Sequence, residues 1–454
     1  MPLDSVNPAT GERVARREAM PAHEIEGVLE AARRAQPAWA ERTHAERADV
    51  LRAMAQGLRG DVEALAAQMA TEMGKTLDAG RGEVEKCAWV CDYYAEHAER
   101  FLAAEPIATD ATSSYVAFAP LGVVLAIMPW NFPLWQVFRF LAPTLAAGNA
   151  GVLKHASNVT GCALAIERVA HAAGVPRDLF RAVLVEGREA GTWIEHPAIA
   201  AVTLTGSTPA GRDVAQRAGR ALKKCVLELG GSDAYVVLED ADLEAALETC
   251  VTSRLINVGQ SCIAAKRFVL PARHRARCEE IVVEAMRRRR VGDPFGDADL
   301  GPLARADLRD ELHAQVDACL ARGARLLLGG EVPAGRGAYY PPTVLTDVAP
   351  GMPAYDDELF GPVAALVFVE DEDEAVRVAN ATSFGLGAAV FTRDVARGEA
   401  IARDRLEAGS CFVNAFVRSD PRLPFGGIKA SGFGRELGAF GIREFVNVKT
   451  VVVA

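Results

Sequence analysis

The amino-acid sequence predicts an α/β protein with two open parallel sheets and a detached pair of β segments. Three patterns support this fold class. Amphipathic helical segments occupy residues 25–101, strand-like and helical segments alternate in two series over residues 151–229 and 234–413, and an apolar β-prone tail ends the chain. Strands joined by helices through such short connections form right-handed crossovers onto a parallel sheet. The 454 residues correspond to about three folding units of ~150 residues.

Composition and charge restrict the class of protein. Hydrophobic residues make up 50% of the chain and charged residues 24%, which excludes a disordered or collagen-like protein. The net charge of −10 argues against a nucleic-acid backbone as the main partner. The nine cysteines are an odd number, and the N-terminus does not resemble a secretory signal, so we expect reduced thiols in a cytoplasmic protein.

The first hundred residues place apolar side chains at three- and four-residue spacing between charged ones, which indicates amphipathic helices. These helices are expected at residues 25–40, 45–58, 62–73 and 82–101. Two short β-type segments follow, at residues 114–119 and 123–128. Because a Pro-Leu-Gly segment separates them, we expect a hairpin or strand pair.

Two alternating series then follow along the chain. In the first, strands are expected at residues 151–153, 181–185, 201–204 and 225–229, and helices at residues 160–173, 190–196 and 209–220. In the second, strands are expected at residues 234–238, 268–270, 363–368, 388–391 and 410–413, and helices at residues 243–253, 276–289, 374–381 and 395–405. The tail at residues 446–453 is a further predicted strand without a local partner.

Residues 111–153 carry a single formal charge, Arg139. So long an uncharged segment is compatible with a membrane-spanning helix. Residues that break helices interrupt it too often for that explanation, namely Pro120, Gly122, Pro129, Asn131, Pro133 and Pro143. The segment is therefore predicted to be a buried hinge between elements.

Three residues could carry covalent and acid–base chemistry. Cys262 lies in a glycine turn, where it is either a nucleophile or a buried inert thiol. Glu228 is a lone carboxylate in an apolar strand, so burial should raise its pKa toward that of a general base, unless a buried salt bridge holds it. Asn131 lies in a turn between prolines, where its amide could stabilise an oxyanion or cap a helix that begins near Pro133.

A phosphate site is predicted although the chain lacks a Gly-x-Gly-x-x-Gly motif. Gly206 and Ser207 follow a predicted strand, with Thr208 suited to the N-cap and Pro209 to the first helical position. Backbone donors at such a helix N-terminus suit a phosphate group. Lys154 ends another strand at the carboxyl edge of the same sheet, where open α/β sheets bind nucleotides.

Along nearly its whole length the chain closely resembles the aldehyde dehydrogenase superfamily. The matching segments occur in the order found in that family. They are Asn7-Pro8-Ala9-Thr10-Gly11-Glu12, Glu72-Met73-Gly74-Lys75, Pro129-Trp130-Asn131-Phe132-Pro133, Gly206-Ser207-Thr208, Glu228-Leu229-Gly230-Gly231, Gly259-Gln260-Ser261-Cys262, Gly292-Asp293-Pro294, Glu358-Leu359-Phe360-Gly361-Pro362, Pro424-Phe425-Gly426-Gly427-Ile428-Lys429 and Ser431-Gly432.

The resemblance implies a division of the chain into functional units. A Rossmann-type, dinucleotide-binding domain would comprise residues 1–110 and 130–229, and an α/β catalytic domain would comprise residues 230–422. Residues 111–129 and 423–454 would form a β oligomerisation arm and tail. We therefore expect a homodimer or homotetramer.

The resemblance also implies the reaction. Cys262 would attack an aldehyde, and Asn131 and the Cys262 backbone N–H would hold the oxyanion. Hydride transfer from this thiohemiacetal to a nicotinamide leaves a thioester, which water activated by Glu228 hydrolyses to the acid. The cofactor would contact Trp130, Lys154, Ser157, Gly206, Ser207, Leu229, Glu358 and Phe360.

One position bears on the choice of cofactor. Many NAD-preferring members of the family carry glutamate three residues after the cofactor lysine, where it binds both ribose hydroxyls, and this chain has Ser157 there. A carboxylate would repel a 2′-phosphate, whereas serine beside Lys154 accommodates one. We expect NADP as the preferred cofactor, with NAD also usable; a serine that leaves NAD sufficient is the alternative.

Arg139 indicates the substrate. A lone arginine on a helix after Asn131 is expected to point into the substrate tunnel and bind a distal carboxylate, and an internal ion pair is the alternative. Ser419 and Phe425 are expected to line the same site. Arg139 and Ser419 resemble residues of the succinic semialdehyde dehydrogenase branch, although Ile256 replaces an arginine found in part of that branch.

The leading hypothesis is NAD(P)-dependent oxidation of succinic semialdehyde to succinate. A broad-specificity aliphatic or lactaldehyde-type aldehyde dehydrogenase is the nearest alternative. A catalytically silent structural or binding protein on the same scaffold is an alternative of another class, disfavoured because Cys262 and Glu228 are present. No Cys/His spacing indicates a metal site, and a small-molecule aldehyde is the expected partner, rather than nucleic acid or membrane.

Overall fold

The N-terminal part of the chain forms a small β hairpin followed by a layer of helices. The computed structural model describes the backbone of residues 2–454 and their side chains except those of residues 187 and 188. The first elements are β1 (Leu3–Val6), β2 (Arg13–Arg17), α1 (Ala22–Ala40), α2 (His44–Gly60), α3 (Val62–Met73) and α4 (Leu77–Phe101). The four predicted helices are present, since their apolar stripes bury against one another and against the first sheet. The short hairpin of β1 and β2 was not predicted.

The first alternating series builds an open sheet with helices between its strands. Its segment of the chain contains β3 (Glu105–Pro106), β4 (Ser113–Pro120), β5 (Val123–Met128), α5 (Trp135–Ala146), β6 (Ala150–His155), α6 (Thr160–Ala172), β7 (Phe180–Ala182), α7 (Gly187–Trp193), β8 (Ile199–Thr205), α8 (Thr208–Arg220) and β9 (Lys224–Glu228). Within the sheet the order is β9-β8-β5-β6-β7, and these neighbours are parallel. The predicted open parallel sheet is therefore confirmed.

The predicted pairing of the two β segments near residues 114–128 is wrong. β5 lies at the centre of the parallel sheet, where β6 and β8 flank it. Its residues are almost all buried, as is usual for a strand covered by helices on both faces. β4 is only half-buried and pairs elsewhere, so the two segments belong to different sheets.

The second alternating series forms another open sheet. Its elements are β10 (Ala234–Val237), α9 (Leu243–Leu255), β11 (Arg267–Pro271), α10 (Arg275–Arg287), α11 (Ala306–Ala321), β12 (Arg325–Leu328), β13 (Thr343–Thr346), α12 (Pro353–Asp356), β14 (Val363–Val369), α13 (Glu372–Asn380), β15 (Gly387–Phe391), α14 (Val395–Asp404) and β16 (Ser410–Val413). The strand order is β12-β13-β14-β11-β10-β15-β16, with an antiparallel pair only at β12–β13. This sheet has its own apolar core.

The C-terminal segment joins two sheets. It contains β17 (Gly432–Phe433), α15 (Gly438–Ile442) and β18 (Val446–Val453). β17 pairs with β9, with Gly432 opposite Glu228, and so adds an antiparallel edge to the first sheet. β18 pairs antiparallel with β4 along its whole length, and β3 completes this three-stranded sheet. Both β5 and β17 thus lie outside the arm to which the sequence assigned them.

The segment with a single charge is mostly buried from residue 123 onward. All residues of α5 are buried, including Arg139, which agrees with the interpretation as a buried connection. Within residues 2–454, no helix combines the length and the apolar character that crossing a membrane would require.

The two large sheets meet at a cleft. The carboxyl ends of β5, β8 and β9 lead into residues 129–131, 206–207 and 229–230, and the loops that enter β11 and β14 bring residues 260–266 and 358–362 to the same place. Open α/β sheets bind ligands at this edge. The cleft is therefore where the candidate site residues are found.

Candidate active site

Cys262 lies at the junction of two cavities. One, of about 310 Å³, is lined by the segments after β5, β8 and β9 together with Glu358 and Phe360. The other, of about 500 Å³, extends between α4, α5 and residues 416–419. Cys262 lines both, so two ligands can approach its sulfur from different sides.

A strained turn presents this cysteine. Asn257, Val258 and Gly259 have φ of 53°, 59° and 77°, a left-handed run that non-glycine residues seldom adopt. At Gly259 a Cβ would lie 2.2 Å from the carbonyl oxygen of Gly361, so only glycine fits. Such strain is found where the surrounding structure fixes a functional loop.

Lys266 fixes the residues around the thiol. Its ammonium donates to the carbonyl oxygens of Ser261, at 2.8 Å, and Cys262, at 2.5 Å, and pairs with Glu358 at 3.1 Å. Burial raises the pKa of Cys262 to about 12, and the nearby Lys266 opposes this shift. Burial thus disfavours the thiolate of Cys262, and the Lys266 ammonium favours it.

Asn131 faces the cysteine loop. Its Nδ2 donates to the carbonyl oxygen of Gln260 at 3.1 Å, and the Nδ2 of Asn257 donates to the Asn131 carbonyl oxygen at 2.7 Å. It does not cap α5, whose first amides donate instead to Glu83. The helix-cap alternative is thus wrong. Asn131 also lines the smaller cavity together with Cys262, as an oxyanion donor must.

Glu228 is buried at the end of β9. Neither carboxyl oxygen has a hydrogen-bond partner among the described residues, and Oε1 points toward Gly426, where a Cβ would approach it to 2.7 Å. Burial raises the pKa of Glu228 well above its usual range, Glu436 adds to the effect, and Arg139 opposes it. The salt-bridge alternative is not realised in this structure. Glu228 itself borders neither cavity, although its neighbours Leu229 and Gly230 line the smaller one.

Arg139 is held by an internal ion pair. Its guanidinium contacts the carboxylate of Glu436, and Nη2 donates to Thr205 Oγ1 at 3.3 Å. The structure thus shows the internal ion pair that was the alternative, and not an unpaired guanidinium that is free to bind a substrate. Glu436 is far away in sequence, which is why its contact was not foreseen. Arg139 still borders the larger cavity, and it lies 4.8 Å from the centre of the Phe425 ring, so its role in substrate binding stays a prediction.

The larger cavity brings together the other predicted substrate residues. Ser419 and Phe425 both line it, as does Ile256. Much of the remaining wall is aromatic or aliphatic, from Phe132, Trp135, Ile263 and Phe416. Sequence reasoning missed Lys86, which lines this cavity and donates to Ser419 Oγ at 2.7 Å.

The smaller cavity has features that suit the pyrophosphate and one ring of a dinucleotide. Gly206 and Ser207 lie at the start of α8, where Ser207 is the N-cap, one residue before the predicted Thr208. At Gly230 a Cβ would lie 2.5 Å from Glu358 Oε2, so glycine leaves room in the cradle. Trp130 and Phe360 meet edge to face, with ring centres 5.8 Å apart. Backbone donors for phosphate beside flat apolar walls suit a pyrophosphate joined to an aromatic ring.

Lys154 and Ser157 lie on the continuation of this edge. Lys154 is buried near the end of β6, and burial lowers its pKa. Within the described residues it forms no ion pair, so its charge is available to a ligand. Ser157 is exposed at the first turn after the strand. This placement agrees with contact to the adenosine half of a dinucleotide.

Comparisons with known proteins agree with this geometry. A model of the aldehyde dehydrogenase family matches residues 1–451. The chain is 47% identical to succinate semialdehyde dehydrogenase [NAD(P)+] Sad of Escherichia coli, over 98% of this chain and 97% of that protein. It is 46% identical to succinate-semialdehyde dehydrogenase [NADP(+)] 1 of Mycobacterium bovis, over the full length of both.

The fold of this chain is also similar to that of a solved structure. The succinic semialdehyde dehydrogenase of Streptococcus pyogenes, in complex with NADP+, superposes with a TM-score of 0.97 at 35% identity and covers 99% of each chain. The chain belongs to the aldehyde dehydrogenase family.

Proposed function

We propose that this protein oxidises succinic semialdehyde to succinate, with NADP as its preferred cofactor. The observation that carries the proposal is the position of Cys262 between a cavity that reaches the N-terminus of α8 and a separate cavity rich in cations. A thiol placed there can attack an aldehyde from one side while a hydride acceptor lies on the other. The names of the E. coli, M. bovis and S. pyogenes relatives support the same reaction.

Residues of this chain account for nucleophilic attack, oxyanion binding and thioester hydrolysis in the proposed reaction. The Cys262 sulfur forms the thiohemiacetal, and its backbone N–H, which has no acceptor among the described residues, binds the oxyanion together with Asn131. When bound, the nicotinamide dinucleotide supplies the hydride acceptor. Trp130, Phe360 and Leu229 would orient it beside the sulfur. Glu228 then takes a proton from the water that hydrolyses the thioester.

A comparison of two aldehydes tests the substrate. Succinic semialdehyde and butanal share a four-carbon chain and differ in the terminal carboxylate. A charged hydrogen bond contributes about 1.5–3 kcal/mol, so we expect kcat/KM for succinic semialdehyde to exceed that for butanal by about 10- to 100-fold. Steady-state assays of reduced cofactor measure this ratio.

The same assay decides between the proposal and a broad-specificity aliphatic aldehyde dehydrogenase. The aromatic and aliphatic wall of the larger cavity favours that second function. Equal kcat/KM values for succinic semialdehyde and butanal would establish it and reject the proposed substrate. Activity with neither aldehyde would instead favour the catalytically silent protein.

Ser157 supports the preference for NADP. It is exposed three residues after Lys154, so a glutamate there would face a 2′-phosphate with like charge. Ser157→Glu is expected to raise KM for NADP by about 10- to 100-fold, with KM for NAD unchanged or lower. Ser157→Gln has similar size without the charge and is the matched control. An equal loss of NADP affinity in both variants would contradict the electrostatic explanation.

The separate sheets support assigning different functions to different parts of the chain. We place dinucleotide binding in residues 1–110 and 130–229, extended by β5 and β17, and the nucleophile in residues 230–422. The sheet of β3, β4 and β18 is proposed as the surface of a homodimer or homotetramer. β18 is an edge strand with exposed Val448, Val452 and Val453, which another subunit would cover. The nine free cysteines support a reducing, cytoplasmic location.

A further inference from the structure

Lys86 is a cation without a matching acid. It projects from α4 into the larger cavity, where its ammonium donates to Ser419 Oγ at 2.7 Å and lies 4.3 Å from the centre of the Trp135 ring. Among the described residues, no carboxylate lies within ion-pair distance of it. Placing an ammonium away from water costs free energy unless an anion accompanies it.

The nearest acids are already occupied. Glu83, one turn earlier on α4, pairs with Lys75 and accepts the backbone amides of Leu134 and Trp135 at 2.8 and 2.9 Å. Asp420 pairs with Arg422 at 2.7 Å. Neither carboxylate is therefore free to neutralise Lys86.

The other cations of the cavity are less suited to a buried anion. Arg139 is neutralised by Glu436, and Arg418 is exposed at the rim, where water solvates it. Ile256 contributes an apolar side chain. Lys75, which also lines this cavity, is neutralised by Glu83. Among the described residues, Lys86 is thus the half-buried cation of this wall that has no acid partner.

We propose that Lys86, together with the hydroxyl of Ser419, binds the terminal carboxylate of the aldehyde substrate. The ammonium has donors beyond the one directed at Ser419, and the serine hydroxyl can accept from lysine while it donates to the carboxylate. Cys262 lines the same cavity, so the two ends of an ω-carboxy aldehyde have separate partners there, the sulfur for the aldehyde and Lys86 for the carboxylate. This inference rests on the proposed function and assigns the specificity of that site to a residue outside the recognised motifs.

The titration of Lys86 is consistent with this role. Burial lowers the pKa of Lys86 to about 8, and the positive charge of Arg139 adds to the shift. A carboxylate bound beside the ammonium would stabilise the charged form and raise the pKa of Lys86 again. The geometry of the cavity carries the proposal independently of this shift.

Three variants test the assignment. Lys86→Met removes the charge and retains the length, and we expect KM for succinic semialdehyde to rise by about 10- to 100-fold while kcat/KM for butanal stays within about twofold. Lys86→Arg retains a cation and should recover most of the affinity. Arg418→Met removes a positive charge from the rim of the same cavity and should change either substrate little. Thermal unfolding and NADP binding verify that each variant is folded, and Lys86→Gln repeats the test if the methionine variant is unstable.

A binding measurement separates this proposal from the proposed function. Calorimetric titration of succinate into the wild-type protein and Lys86→Met reports carboxylate binding without catalysis, and we expect the affinity to fall by a similar factor. If the wild-type protein shows no preference for succinic semialdehyde over butanal, the proposed function fails, whereas the titration still tests Lys86. Unchanged succinate affinity in Lys86→Met, no succinate binding to the wild type, or an equal loss for butanal would overturn the proposal.

Discussion

Cys262→Ala is expected to lower aldehyde oxidation by at least about 1000-fold, because the reaction then lacks its covalent step. The side chain lies between the two cavities and makes no hydrogen bond on which the fold depends. Binding of NADP should therefore persist. Formation of NADPH, followed by absorbance, measures turnover, and quenching of tryptophan fluorescence measures cofactor binding.

Cys411→Ala provides the matched control. Cys411 is another half-buried free cysteine, located on β16 and outside both cavities. Its replacement should leave turnover within about twofold of the wild type, as for substitutions that touch no functional group. Turnover that survives in Cys262→Ala would show that another group attacks the aldehyde.

Glu228→Gln is expected to separate the two halves of the reaction. A general base contributes about 10²- to 10⁴-fold, so steady-state turnover should fall by that factor. The base is assigned to the hydrolysis step, so acylation should proceed without it, and a rapid burst of about one NADPH per active site should remain while the thioester persists. Stopped-flow absorbance resolves the burst, and acid quench followed by mass spectrometry detects acylated Cys262.

The pH profile gives a second readout of the same residue. Only the deprotonated carboxylate accepts a proton from water, and burial together with Glu436 raises the pKa of Glu228. Turnover of the wild type should therefore decline as the pH falls through a value above the usual carboxyl range, and the glutamine variant should lose this limb. Glu444→Gln, which removes a carboxylate paired with Lys224 on β9, should keep the turnover and retain the limb, shifted toward lower pH because Glu444 also raises the pKa of Glu228.

The elements with strong periodicity were predictable from the sequence. The helix at residues 62–73 and the strands at residues 123–128, 410–413 and 446–453 have the bounds that their patterns indicated. Each has a continuous apolar stripe or a β-prone apolar segment bounded by turn residues. In contrast, α11 carries many charges along its length, and β12 and β13 are four residues long, so their local patterns are weak.

Contacts between distant segments were beyond the reach of local patterns. Adjacent β-type segments usually pair, yet β4 and β5 lie in different sheets because β5 is covered on both faces. The lack of other charges in residues 111–153 correctly indicated that Arg139 is buried, but its partner Glu436 lies almost 300 residues later in the chain. Lys86 has the spacing of an ordinary helix-surface lysine, and only the packing of α4 against residues 416–419 brings it into the cavity.

The Cys262 sulfur lies between two separate cavities. Because the nucleotide would approach the sulfur through one cavity and the aldehyde through the other, neither ligand occupies the path of the other. The geometry therefore leaves a path through the larger cavity for the acid while the nucleotide still occupies the smaller one.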